Sequence, residues 1–160
     1  MSIQKPLTEK RLENIALFYL ERFETSSEKL RQVLKRRIAR QKMKGILPDP
    51  ESANWIENII QKMQNLGFVN DARYAENTVR RLSEQGKSAR QIQHKLMSEG
   101  IEPEYIYQQL EETDDLARAK IFVKKKRLGK EYEKDLAKLA RAGFSYETAK
   151  LALTKGEDDV

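Results

Sequence analysis

Residues 88–101 read SARQIQHKLMSEGI, and they hold one helix together with its start and stop signals. Ser88 and Gln91 have the spacing of a capping box, in which the hydroxyl accepts from the N–H three residues on. Ile92 and Leu96 fall one turn apart on a single face, and Gly100 supplies the conformational freedom that ends a helix. The same grammar extends both ways. Upstream, Asn70 can cap a helix carrying Tyr74, Ala75, Val79 and Leu82, which Gln85-Gly86-Lys87 breaks. Downstream, Pro103 stands at a first helical position, where its missing N–H costs nothing, and Ile106 and Leu110 give that helix an inner face.

The last third repeats the plan, with helices predicted over 116–128, about 132–142 and 145–153. Ala75-x3-Val79-x-Arg81 overlays Ala119-x3-Val123-x-Lys125. After a one-residue shift, Leu96-x3-Gly100-Ile101 overlays Leu139-x3-Gly143-Phe144, followed by Glu104, Ile106 and Leu110 on Glu147, Ala149 and Leu153. The first third shares the opening as Ala16-x3-Leu20-x-Arg22. Its first helix turns Leu12, Ile15, Ala16, Tyr19 and Phe23 inward, and Thr25 to Glu28 reads as a capping box with Thr25 as the cap. Leu30, Leu34 and Ile38 belong to the next helix. After the loop Leu47-Pro48-Asp49-Pro50, Trp55, Ile56, Ile59, Ile60, Met63 and Leu66 face a core in the third, which Gly67 stops.

No segment has the period of a strand. The expected fold is all-α: three tandem three-helix repeats stacked into an elongated, curved molecule, because a unit of about 45 residues buries too little surface alone. The expected boundaries are 1–68, with an N-terminal extension and an insertion around residues 42–53, then 69–113, 114–155, and an acidic tail at 156–160.

Hydrophobic residues at 39% exclude a disordered chain, and the absence of cysteine excludes disulfides and thiolate metal sites. No apolar run approaches the ~20 residues of a membrane span, and MSIQKPLTEKRLEN lacks the apolar stretch of a secretory signal, so a cytoplasmic protein is expected. The single histidine, His94, reads as an exposed residue on a helix. Gly86-Lys87-Ser88 lacks the upstream glycine of a phosphate loop, and the acidic run 111–115 lacks the alternation and glycine of a calcium loop. No catalytic residue, metal or cofactor is expected.

The net charge of +6 is unevenly spread: +7 over residues 1–44, −6 over 45–115, +8 over 116–155 and −3 in the tail. Arg31, Lys35, Arg36, Arg37, Arg40, Lys42 and Lys44 cluster on and after the second helix. Lys124, Lys125, Lys126 and Arg127, then Lys130, Lys134, Lys138 and Arg141, form the other cluster, with the last three spaced i, i+4, i+7 on one face. Such stripes neutralise phosphates and release counterions, so binding should fall steeply with salt and read little sequence. Interleaved aromatics for base stacking are not apparent, as Phe122 and Tyr132 read as core or rim.

Several stretches resemble the RecX family. Arg22-x3-Ser26-x-Glu28-x-Leu30-Arg31 is similar to its opening motif, and Gly67-Phe68-Val69-Asn70-Asp71-Ala72-Arg73-Tyr74-Ala75 to its central signature. Ser88-x-Arg90-x-Ile92-x3-Leu96-x3-Gly100-Ile101 resembles the segment that follows, and Leu139-x3-Gly143-Phe144 the closing repeat. The resemblance spans roughly residues 10–154. Ser88-Ala89 departs from the Gly-Pro often found there, and the 42–53 insertion lengthens the first unit. The resemblance implies a non-enzymatic regulator that binds the RecA recombinase and its nucleoprotein filament and restrains its ATPase, coprotease and strand-exchange activities. On that reading Arg36, Arg37, Arg40, Lys124, Lys125, Lys126, Arg127, Lys134 and Lys138 contact single- or double-stranded DNA through its backbone. Glu111, Glu112 and Asp114 face basic recombinase surface, and the protein acts as a monomer away from membranes. Two other classes fit the composition, a stand-alone helical DNA-binding protein and a protein-only helical scaffold; binding to a specific duplex without recombinase separates the first from the rest.

Overall fold

A computed structural model describes residues 5–111 and 113–154, and among these there are nine α-helices and no strand. The chain divides into two compact units, Met1–Tyr74 and Ala75–Val160. Unit 1 holds α1 (Glu9–Arg22), α2 (Ser27–Met43), α3 (Ser52–Asn65) and the first turn of α4 (Asp71–Glu84). Unit 2 holds the rest of α4, then α5 (Ala89–Ser98), α6 (Pro103–Glu111), α7 (Asp115–Lys125), α8 (Tyr132–Arg141) and α9 (Tyr146–Leu153).

In unit 1, α1, α2 and α3 pack on one another around Leu12, Ala16, Leu30, Leu34, Ile56, Ile59, Ile60 and Met63. These positions recur at helical spacing, so each helix offers one apolar stripe and the three stripes close on a shared core. Trp55 packs on its edge as expected. Truncating a fully buried leucine such as Leu30 to alanine should cost about 2–5 kcal/mol. In unit 2, α7 and α8 both pack on α9 around Ala119, Leu139, Phe144 and Ala149, and α5 packs on α6.

Three expectations are corrected. The cap of α2 is Ser26, whose Oγ accepts from Lys29 N at 3.1 Å; Thr25 instead donates to the Ser26 carbonyl. Adjacent hydroxyls are chemically equivalent caps, and spacing alone cannot rank them. Phe23 is 54% exposed, because α1 ends at Arg22 and the chain leaves the helical path before Phe23 can follow the inward stripe. Leu66, 53% exposed, is likewise a cap residue past the end of its helix. The caps at Ser88 and Asn70 form as their spacing requires, each accepting from the N–H three residues on, and Ser145, expected inside α9, caps that helix in the same way.

Candidate nucleic-acid interface

Two aspartates hold the scaffold on which the cations stand. Asp71, in the first turn of α4, accepts from the N–H of Ser27 at 2.8 Å and so satisfies a free donor at the start of α2. Asp115, in the first turn of α7, accepts from the N–H of Ala89 at 2.9 Å and does the same for α5. In both cases a serine one residue earlier, Ser26 or Ser88, caps the same helix from its own side. Asp115 also pairs at 3.3 Å with Arg118, a residue only 2% exposed that donates in addition to the hydroxyls of Ser83 and Thr113. The acidic run at 111–115 is thus partly structural: Asp114 caps α7 by accepting from Leu116 N, whereas Glu111 stands exposed at the end of α6. Glu112 lies outside the described residues, as does the acidic tail.

On α2, Arg36, Arg37 and Arg40 are exposed and form no ion pair among the described residues. Arg31, one turn earlier, is different: Glu28 and Glu57 both hold it, the latter through two contacts at 2.7 and 3.2 Å. The guanidinium keeps the Glu57 carboxyl below its ordinary range, while Glu28 is lowered first by the Gln32 amide and then by Arg31. Arg31 therefore ties α2 to α3 and drops out of the available cations. Arg37 borders a surface hollow of about 390 Å³ with Arg11 and Phe18, and the Arg22 guanidinium lies 4.3 Å over the exposed Phe18 ring. This exposed aromatic beside arginines is what the sequence reading missed, because Phe18 sits outside the apolar stripe.

Lys124, Lys125, Lys126 and Arg127 are all exposed where α7 ends. Their charge complements the negative end of the helix dipole, which already accounts for cations here without any ligand. Arg127 occupies the left-handed position (φ 53°) of a Schellman closure, in which Leu128 N–H returns to the Val123 carbonyl at 2.9 Å. That turn ends α7 at Lys125, three residues before the expected Leu128.

The α8 stripe is less available than its spacing implied. Lys134 pairs with Glu131 at 3.1 Å and Lys138 approaches Asp135 at 4.0 Å. Asp135 is itself occupied, accepting from Gly129 N at 2.7 Å and Glu131 N at 3.3 Å, and the Gly129 bond chiefly holds its carboxyl below the usual range. Arg141, the third member of the stripe, has no carboxylate partner among the described residues. The predicted cations thus form separate groups: Arg36, Arg37 and Arg40 in unit 1, and the α7 end and α8 in unit 2.

Among the described residues no three His, Cys, Asp or Glu side chains form a group that could hold a metal ion, and no helix is long and apolar enough to cross a membrane. Fold and surface together define an all-helical protein that presents exposed cations with no acidic partner among the described residues. Residues 70–110 match the family profile described as the second three-helix domain of RecX. The chain is 34% identical over 153 residues to regulatory protein RecX of Myxococcus xanthus (strain DK1622), covering 87% of this chain and 82% of that one. It is 33% identical over 143 residues to regulatory protein RecX of Agrobacterium fabrum, covering 84% and 77%. The fold is similar to the crystal structure of RecX from Lactobacillus salivarius, with TM-score 0.71, 20% identity, and 91% and 94% of the two chains covered. A second crystal structure of a regulatory protein RecX gives TM-score 0.66 at 19% identity. The chain belongs to the RecX family.

Proposed function

We propose that this protein regulates the RecA recombinase by binding it and its DNA filament, restraining ATPase, coprotease and strand-exchange activity without catalysing a reaction itself. The observation that carries the reading is kinship with relatives named as regulatory proteins over most of both chains. The exposed, acid-free arginines of α2 and the cations at the end of α7 support it, since they suit phosphates in a contact that reads backbone rather than bases. Glu111, Glu112 and Asp114 are proposed to meet basic recombinase surface. The three units 1–68, 69–113 and 114–155 would serve as the modules that distribute these contacts. On this reading the protein works in the cytoplasm as a monomer.

The test is a RecA ATPase assay on single-stranded DNA with the protein titrated in. Hydrolysis should fall progressively, and the Lys124→Ala/Lys125→Ala/Lys126→Ala/Arg127→Ala variant should need a higher concentration for the same effect. Hydrolysis that stays constant up to a large excess of protein over recombinase would discard the proposal.

A further inference from the structure

Unit 2 carries a cleft of about 520 Å³ that, of the cations in the sequence-predicted clusters, only Arg141 lines. Its rim is cationic: Lys87 from the α4–α5 turn, Arg90 and Lys95 from α5, and Arg141 from the end of α8. The buried Leu82 and Ala142 form an apolar floor, and Ala140 and Gly143 complete the lining. His94 stands one turn from Arg90 on the same helix, and Gln91 one turn from Lys95, so two adjacent rows of α5 turn toward the opening.

The charges are poorly compensated. Lys95 meets Glu99 at 3.2 Å, but Lys87, Arg90 and Arg141 form no ion pair among the described residues. Cations sharing one concavity repel each other, and the low-dielectric wall behind them focuses their field outward, which favours an anion there. The walls are built in place. Ser88 Oγ donates to the Ala142 carbonyl at 2.7 Å while accepting from Gln91 N, which pins the start of α5 to the end of α8. Gly143 (φ 98°) permits this approach, since a Cβ there would stand 2.6 Å from Ser88 Oγ.

The shape of the cleft selects the anion. Its volume falls in the range of small-molecule sites, larger than one isolated phosphate fills. An apolar floor beneath a cationic rim fits an unpaired strand, with sugar or base below and phosphates above. We propose that this cleft is a nucleic-acid site that seats a short stretch of single-stranded phosphodiester backbone. It deepens the function proposed above and rests on it only in that nucleic acid is a ligand.

The experiment measures binding of the full-length protein to a fluorescent oligothymidylate by anisotropy, without recombinase. Arg90→Ala/Arg141→Ala removes two exposed cations from the rim, and Lys10→Ala/Lys120→Ala removes two exposed cations elsewhere as a control for net charge. The rim variant should bind about tenfold more weakly than the control, with a salt slope shallower by about 1.4, the value for two phosphates neutralised on a single strand. Arg90→Lys/Arg141→Lys should recover most of the affinity, which separates charge from damage to the fold. Equal binding by the rim variant and the control overturns the site. Displacement of the oligonucleotide by poly-glutamate as readily as by unlabelled oligothymidylate overturns its assignment to nucleic acid. Wild-type protein that inhibits RecA but binds no oligothymidylate overturns the cleft while leaving the regulatory function standing.

Discussion

Asp71 shows what a motif residue does physically. The central signature places Asn70 and Asp71 side by side; Asn70 caps its own helix, and Asp71 reaches 44 positions back to satisfy the start of α2. The first role is legible in sequence, because a cap and its donor lie three residues apart. The second is not, because only the fold brings positions 27 and 71 together. Asp115 repeats the reach and adds a buried charge to it, so the two aspartates should differ in cost. Asp71→Ala removes one cap, roughly 0.5–2 kcal/mol, whereas Asp115→Ala also leaves the Arg118 guanidinium without its carboxylate, about 3–5 kcal/mol. Urea unfolding of both variants checks the order, and equal midpoints would contradict it. Arg127 is the opposite case, a residue whose backbone is the wrong kind for its place. Arg127→Gly should stabilise the protein by about 0.5–1 kcal/mol in thermal unfolding, since glycine enters the left-handed region without the Cβ clash but adds chain entropy to the unfolded state. A lower melting temperature for this variant would show that Arg127 makes a compensating contact.

At the scale of elements, helices such as α4 and α5 were legible because each carries both a periodic stripe and a cap, and the two agree. Ser88, Ile92, Leu96 and Gly100 mark α5 completely, and its observed span follows them. The misreadings gather at ends. Phe23 and Leu66 continue an inward period past the point where the chain turns away, and the predicted run to Leu128 crosses the turn at Arg127. Periodicity reports which face a residue would have if the helix continued; it says nothing about whether it does. Cation stripes suffer a related loss. Lys134, Lys138 and Arg141 share a face by spacing, yet Glu131 at the N-cap of α8 and Asp135 within it claim the first two. Counting carboxylates at i−3 beside each lysine could have found this in the sequence. No such count reveals the cleft, whose rim combines α5 with the end of α8.

For the whole molecule, the informative quantity is where uncompensated positive charge collects, and it collects in both units. Arg36, Arg37 and Arg40 in unit 1 and the α7 end in unit 2 should each contribute to the salt dependence of single-strand binding, by about 0.7 for every phosphate neutralised. Alanine at Lys124, Lys125, Lys126 and Arg127 should therefore lower the slope by up to about 2.8, and alanine at Arg36, Arg37 and Arg40 by up to about 2.1. Titrations at several salt concentrations measure both, and an unchanged slope removes that group from the interface. The all-helical class and the basic ends were readable from composition and spacing, whereas the sharing of acids between scaffold and surface required the fold. The bond from Ser88 to the Ala142 carbonyl, made beside Gly143, carries one more consequence. Because a short side chain meets main chain there, the two walls keep their separation while the rim side chains rotate, and adjustment falls to long arms with many torsions. Such a seat tolerates irregular spacing along a strand and stays indifferent to which letters it carries.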